Sequence, residues 1–255
     1  MKLFYKNYPG QGKNLIILHG LFGMLDNWHQ VAKQLSAHFN VFTVDLRNHG
    51  QSPHEKDISF GLMAADVKEL CDDLHLKSVI VMGHSLGGKT AMHFALSYPD
   101  KVEALLVLDI APVKYAAGHT EIFEALFALD LTDGSRSRKE MDEALASYIN
   151  DFGIRQFLLK SLSREGTSYQ WKFNLNALFE NYDKLSDRID SENKFDKPTL
   201  FVAGEKSNYI QPNHAAAMEK LFPQYSLVSI SNAGHWVHAD NPEALIAAVN
   251  KFLNL

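Results

Sequence analysis

Cysteine is nearly absent from this chain: the one thiol, Cys71, has no internal partner, so no disulfide is possible and nothing asks for an oxidising compartment. Positive charge is not in excess either. With 25 Lys and Arg against 30 Asp and Glu, the net charge of -5 provides no field for gathering nucleic-acid phosphates or an anionic membrane surface. No apolar run approaches the roughly 18 residues of a membrane-spanning helix. At the N-terminus a second lysine, Lys6, breaks the short apolar run before a signal-peptide core could form. Fixed-period repeats and low-complexity tracts are missing, and the densest charge cluster, 136–140, is short and of mixed sign. Neither H-E-x-x-H nor C-x-x-C spacing occurs, so no metal is expected. These absences describe a soluble, cytoplasmic chain with no nucleic-acid or membrane partner, and nothing in the sequence sets an oligomeric state.

What the chain does have is apolar residues in two rhythms. Its 255 residues are 46% hydrophobic, enough for one large core or for one core and a small appended unit. Short runs rich in Ile, Val and Leu at 14–18, 40–44, 78–82, 104–108, 199–202 and 226–230 read as strands covered on both faces. Helical periodicity marks 28–36, 62–74, 88–98, 214–222 and 242–252. Strand and helix alternate, which predicts an α/β fold with a mostly parallel central sheet and helices on both faces. The alternation stops after Leu108 and resumes at Pro198. Between them, 121–129, 139–149, 152–162 and 174–182 read as four helices without a convincing strand, too long a block for a loop. We expect an inserted helical cap at 113–196, between core segments 1–112 and 197–255, roofing an apolar pocket at the sheet's carboxyl edge. The alternative is that these helices only widen the main core.

The chemistry is concentrated in Gly83-His84-Ser85-Leu86-Gly87-Gly88, which directly follows one predicted strand and directly precedes a helix. A G-x-S-x-G pentapeptide is weak alone, but at a strand-to-helix junction it can form a nucleophile elbow. The turn is too tight for a Cβ at Gly83 or Gly87, and it would hold Ser85 strained, with Oγ exposed at a helix N-terminus. A hydroxyl needs a base, and the base must follow the last strand. His235, in the turn-forming run 231–236, has that place, with His238 as its neighbour and rival. The carboxylate has to reach the same histidine edge, which the carboxyl end of a neighbouring strand allows. Asp109, ending the strand at 104–108, is the assignment, and Glu205 is the alternative; at Ser207, where a G-x-x-D pattern would put aspartate, the chain has serine. Oxyanion donors are expected from the amide of Leu86 and, in His19-Gly20-Leu21-Phe22-Gly23, from that of Leu21, with Phe22 adjacent.

Taken together, these residues resemble the α/β-hydrolase superfamily, and within it the small YbfF-type esterases. The resemblance rests on 19–23, on Asp45-Leu46-Arg47-Asn48-His49-Gly50-Gln51-Ser52, on 83–89, on Leu108-Asp109-Ile110-Ala111-Pro112 and on Ala233-Gly234-His235-Trp236-Val237-His238. It covers nearly the whole chain. It implies an early aspartate in place of the usual late one, which supports Asp109, and hydrolysis of small carboxylic esters, with acyl thioesters as an extension. No cofactor is implied. Phe22, Trp28, His84 and Trp236 are the candidate substrate-binding residues, and the cap aromatics Phe123, Phe127, Tyr169, Trp171 and Phe173 could line the acyl pocket or simply form core. The 45–52 segment is read as structural, tying loops together through Arg47 and Asn48. Carbon–carbon bond hydrolysis or perhydrolysis on the same three residues, or a non-catalytic small-molecule receptor, remain the rival readings.

Overall fold

The computed structural model describes residues 1–116 and 118–254. Its strands, numbered in chain order, are Tyr5–Tyr8 (β1), Asn14–Leu18 (β2), Asn40–Val44 (β3), Val79–His84 (β4), Val102–Leu108 (β5), Leu162–Glu165 (β6), Ser168–Trp171 (β7), Thr199–Gly204 (β8) and Tyr225–Ile230 (β9). All but β6 and β7 form one sheet in the order β1-β3-β2-β4-β5-β8-β9, parallel except for β1.

Along the central strands, alternate side chains enter different cores. Ile16 and Leu18 of β2, Val79 and Val81 of β4, and Leu105 and Val107 of β5 pack on one face. Leu15 and Ile17, Ile80 and Met82, and Ala104, Leu106 and Leu108 pack on the other. A strand that must satisfy both faces has no polar position left, which is why these runs are continuously apolar. Helices α2 (Phe60–Asp73) and α3 (Leu86–Ser97) cover the first face; α1 (His29–Leu35) and α11 (Pro242–Phe252) cover the second. Two short helices, α9 (Ala215–Leu221) and α10 (Val237–Asp240), precede and follow β9. No helix among the described residues is long and apolar enough to cross a membrane.

Three sequence expectations are corrected. β1 was not anticipated: its Tyr-Lys-Asn-Tyr is mostly exposed, an antiparallel edge strand with no apolar run to betray it. β9 also lies at an edge and is largely exposed, with Leu227 at 50%, so it is not covered on both faces. The largest correction lies between β5 and β8. Five helices stand where four were expected, α4 (Thr120–Ala128), α5 (Arg138–Ala146), α6 (Phe152–Lys160), α7 (Leu175–Glu180) and α8 (Tyr182–Ser186), because the 174–182 run breaks at Asn181, and the antiparallel hairpin β6–β7 lies among them. Leu162, expected to close a helix, starts β6. The hairpin turns on Gly166, at φ 55°, the first residue of a two-residue connection that demands positive φ. Glycine between short alternating runs was the signal for it.

Candidate active site

Each site residue sits just beyond the carboxyl end of a strand, on neighbouring strands of the parallel sheet. Leu21 follows β2, Ser85 follows β4, Asp109 follows β5, Ser207 and Tyr209 follow β8, and His235 follows β9. Parallel pairing brings these ends side by side, so chemistry scattered over 215 positions meets at one edge.

The elbow is built by exclusion. A Cβ at Gly83 would lie 2.1 Å from the Gly87 carbonyl oxygen, and one at Gly87 would lie 2.4 Å from that of Leu18. With both positions bare, the chain turns from β4 into α3 within one residue, Ser85, whose φ of 52° and ψ of -116° are strained for a residue with a Cβ. Ser85 is the N-cap of α3, where the first backbone N–H groups have no carbonyl partner inside the helix.

His235 donates Nδ1–H to Asp109 Oδ2 at 2.8 Å. A carboxylate can only accept, so the proton sits on Nδ1 and Nε2 carries the lone pair. Asp109 is fully buried, at φ 50°, and takes two further donors: the Gly204 amide at 2.9 Å and the Ser207 hydroxyl. Ser207 therefore serves the carboxylate from the place where an aspartate was sought. Glu205 does not meet the imidazole; it accepts the Asn232 amide at 2.8 Å and holds the loop that carries His235. Tyr209, missed in the sequence, stacks its ring on His235 at 3.9 Å and 21°. No hydrogen bond joins Ser85 Oγ to His235 among the described residues, but both line one cavity.

Two adjoining cavities, here called lobes, share part of their lining. The first, of 270 Å³, is walled by Phe22, Trp28, His84, Ile154, Phe157 and Trp236, and His235 also lines it. The second, of 260 Å³, is walled by Leu86, Lys89, Ile110, Tyr115, Tyr182 and Leu185. Ser85, Leu21, Gly118, His119 and Tyr209 line both, and thus stand where the lobes meet. All four proposed substrate-binding residues reach the first lobe, although His84 has a second duty: its Nε2 donates to the His235 carbonyl at 2.8 Å. Burial, then the nearby His235 and His238, holds its pKa well below the ordinary histidine value. His238 stacks on Trp28 at 4.2 Å, and burial takes its pKa down to about 3; no carboxylate meets its ring among the described residues.

Of the two readings left open for Phe123, Phe127, Tyr169, Trp171 and Phe173, lining the pocket fails: none of them lines either lobe. Phe123 and Phe173 pack on Phe22 from behind, Phe127 is 46% exposed, and Tyr169 and Trp171 belong to β7. The inserted segment offers His119, Ile122, Ile154, Phe157, Tyr182 and Leu185 instead. An apolar ring at helical spacing says only that one face is buried, not against what.

The 45–52 loop is held by polar ties. Asp45 accepts the Leu25 and Gln51 amides at 2.7 and 2.8 Å, and Arg47 forks onto buried Asp66 at 2.6 and 2.9 Å. Asn48 accepts the Glu55 amide at 2.7 Å. His49 Nε2 accepts the Phe22 amide at 3.3 Å, and His19 Nε2 accepts that of Leu46 at 3.0 Å, so this loop also sets the backbone after β2.

Lys89 is only 2% exposed, one turn into α3. Its Nζ donates to the carbonyls of Val113 at 2.9 Å, Ser186 at 3.1 Å and Asp187, and lies over the Tyr115 ring at 4.9 Å. Val113 lies five residues after β5 and Ser186 closes α8, so one side chain ties both segments to the helix that follows Ser85. Burial pulls its pKa from 10.5 to about 7. Between those values the folded chain binds fewer protons than the unfolded one, so stability rises with pH and the gain is lost as pH falls through 7. Urea unfolding within this window is expected to show wild type gaining on Lys89→Met by about 1.4 kcal/mol per pH unit; a pH-independent difference would contradict it.

The model of the α/β hydrolase fold family matches residues 13–149 and 159–242. The sn-1-specific diacylglycerol lipase ABHD11 of Mus musculus is 41% identical over 246 residues, spanning 94% of this chain and 80% of that protein. Esterase YbfF of Escherichia coli K12 is 34% identical over 261 residues, spanning 100% of both. A marine microorganism esterase of solved structure superposes with a TM-score of 0.96 at 39% identity, covering 98% of this chain and 99% of that one.

Proposed function

Since the chain belongs to the α/β-hydrolase family and is of the YbfF type, we propose that it is a serine carboxylesterase acting on small carboxylic esters through an acyl-enzyme. The observation that carries this reading is the Asp109–His235 hydrogen bond, which leaves Nε2 as a base in the cavity that Ser85 also lines. The esterase and lipase names of the similar proteins point the same way.

His235 Nε2 takes the Ser85 proton as Oγ bonds to the ester carbonyl carbon. The carbonyl oxygen becomes an oxyanion, received by the amides of Leu86 and Leu21. Leu21 is preferred to Phe22 because the Phe22 amide is committed to His49. The carbon–oxygen bond to the alcohol then breaks, and the leaving oxygen collects the proton from Nε2. Water, deprotonated by the same nitrogen, attacks the acyl-enzyme and frees the acid and Ser85. In this reading 113–196 is a cap: side chains from α4 and α6 wall the first lobe and side chains from α8 the second.

A panel of p-nitrophenyl esters of increasing acyl length, assayed beside a vinylogous diketone, tests the assignment. Ester turnover is expected, with kcat/KM climbing per methylene until the acyl chain outgrows the cavity. Rapid diketone cleavage with inert esters would instead establish a carbon–carbon bond hydrolase.

A further inference from the structure

Tyr209 is packed against His235 more closely than neutral rings pack. Its ring lies almost flat on the imidazole, with centroids 3.9 Å and planes 21° apart. Neutral aromatic pairs prefer offset or edge-to-face arrangements with centroids roughly 4.5–7 Å apart, because in full overlap their electron-rich faces repel. A cation over such a face is attracted instead. The other rings around His235 do not lie flat: His84 is tilted by 45° at 4.7 Å and Trp236 by 67° at 5.7 Å. Tyr209 is fixed there through its backbone. Its amide donates to Ser207 Oγ at 3.2 Å, and its carbonyl accepts the Tyr115 hydroxyl at 2.6 Å. The Tyr115 oxygen in turn accepts the Ala111 amide at 2.8 Å. An amide only donates and a carbonyl only accepts, so the Tyr115 proton has a single direction. Ala111 lies two residues after Asp109, and Ser207 donates to Asp109. Tyr115 thus ties the loop that presents Tyr209 to the loop that presents Asp109, and the Tyr209 hydroxyl takes part in none of these contacts.

In the esterase reading, on which this step rests, His235 becomes an imidazolium when it takes the proton of Ser85, and again when it takes that of water. A contact that favours the cation over the neutral ring strengthens as the barrier is climbed, which raises kcat without tightening the binding of substrate. Asp109 meets the charge at the Nδ1 edge of the ring. Burial holds His84, His119 and His238 below the ordinary histidine pKa, so none of them opposes it at neutral pH. We propose that Tyr209 is a positioning residue, held in place by Tyr115, whose ring face supports the positive charge that His235 acquires in the transition state.

Fluorination separates the electrons of the ring from its bulk. Tyr209→Phe and the mono-, di- and trifluorinated analogues of that phenylalanine keep a ring of nearly constant size while fluorine drains electron density from its face. With p-nitrophenyl butyrate, log kcat is expected to fall with each fluorine, about tenfold across the series, while KM holds steady and Tyr209→Phe stays near wild type. Tyr209→Leu, which has no ring, is expected to fall to the level of the trifluorinated form. Tyr115→Phe removes the tie and leaves both rings; it is expected to lower kcat about fivefold in the wild-type background and to cost nothing further in Tyr209→Leu. A kcat that stays flat along the fluorinated series overturns the proposal, since Tyr209 would then act only as bulk. An equal loss from Tyr115→Phe in both backgrounds also overturns it, because Tyr115 would not be acting through Tyr209. If the ester is not turned over and a fluorophosphonate fails to label Ser85, the esterase reading falls, and this inference with it.

Discussion

Asp109→Asn is expected to lower kcat by about 10⁴ at neutral pH with little change in KM, the scale on which neutralising a triad acid acts. The reason lies in tautomers. Asp109 can only accept, and so forces the His235 proton onto Nδ1; an asparagine can turn its NH₂ toward the ring, which moves that proton to Nε2 and removes the lone pair facing the cavity. The Gly204 amide and Ser207 hydroxyl donate to the same carboxylate, so the buried group is oriented from three sides and the substitution tests charge more than placement. Glu205→Gln is the matched control, expected to stay near wild-type activity because its carboxylate holds the Asn232 amide and not the imidazole. Steady-state kinetics of the two variants decides between them: a large loss in Glu205→Gln with a small one in Asp109→Asn would reassign the acid. Thermal unfolding of Asp109→Asn checks that the drop is not a loss of fold.

The larger effect is expected from Ser85→Ala, a fall in kcat of about 10⁶, or about 8 kcal/mol of barrier. Removing the nucleophile disables the histidine and the acid together, because neither has anything left to activate. The fold should survive: alanine has the Cβ that serine has, so the strain at φ 52° is unchanged, and no backbone hydrogen bond is lost. Covalent labelling by a fluorophosphonate, abolished in Ser85→Ala and strongly reduced in Asp109→Asn, reads the nucleophile independently of any choice of ester. A wild-type chain that stays unlabelled would favour a binding protein over an enzyme.

The elbow was legible because its demands are local. Two glycines four positions apart, placed between an apolar run and a helical period, mark a turn with no room for Cβ atoms, and such a turn lifts the residue between them. The order of Ser85, Asp109 and His235 along the chain was legible too, since in a parallel sheet every strand presents its carboxyl end to the same edge. Alternation of side chains between the two cores was readable in the unbroken apolar runs, whereas β1, which buries little, left no such trace.

The sequence by itself thus determined the α/β class, the elbow, the histidine that follows the last strand and the pair of carboxylates competing to orient it. Only the tertiary structure decided that Asp109 meets the imidazole while Glu205 turns to Asn232, that Ser207 donates from the place of the usual acid, and that Tyr209 stacks on His235. It also decided that His119, Phe157 and Tyr182 wall the cavity while Phe123 and Phe173 back it. Periodicity and steric exclusion act within a few residues and are written in the chain. Which side chain faces a cavity depends on the angle at which distant segments pack, and that is fixed by contacts among residues far apart in the sequence.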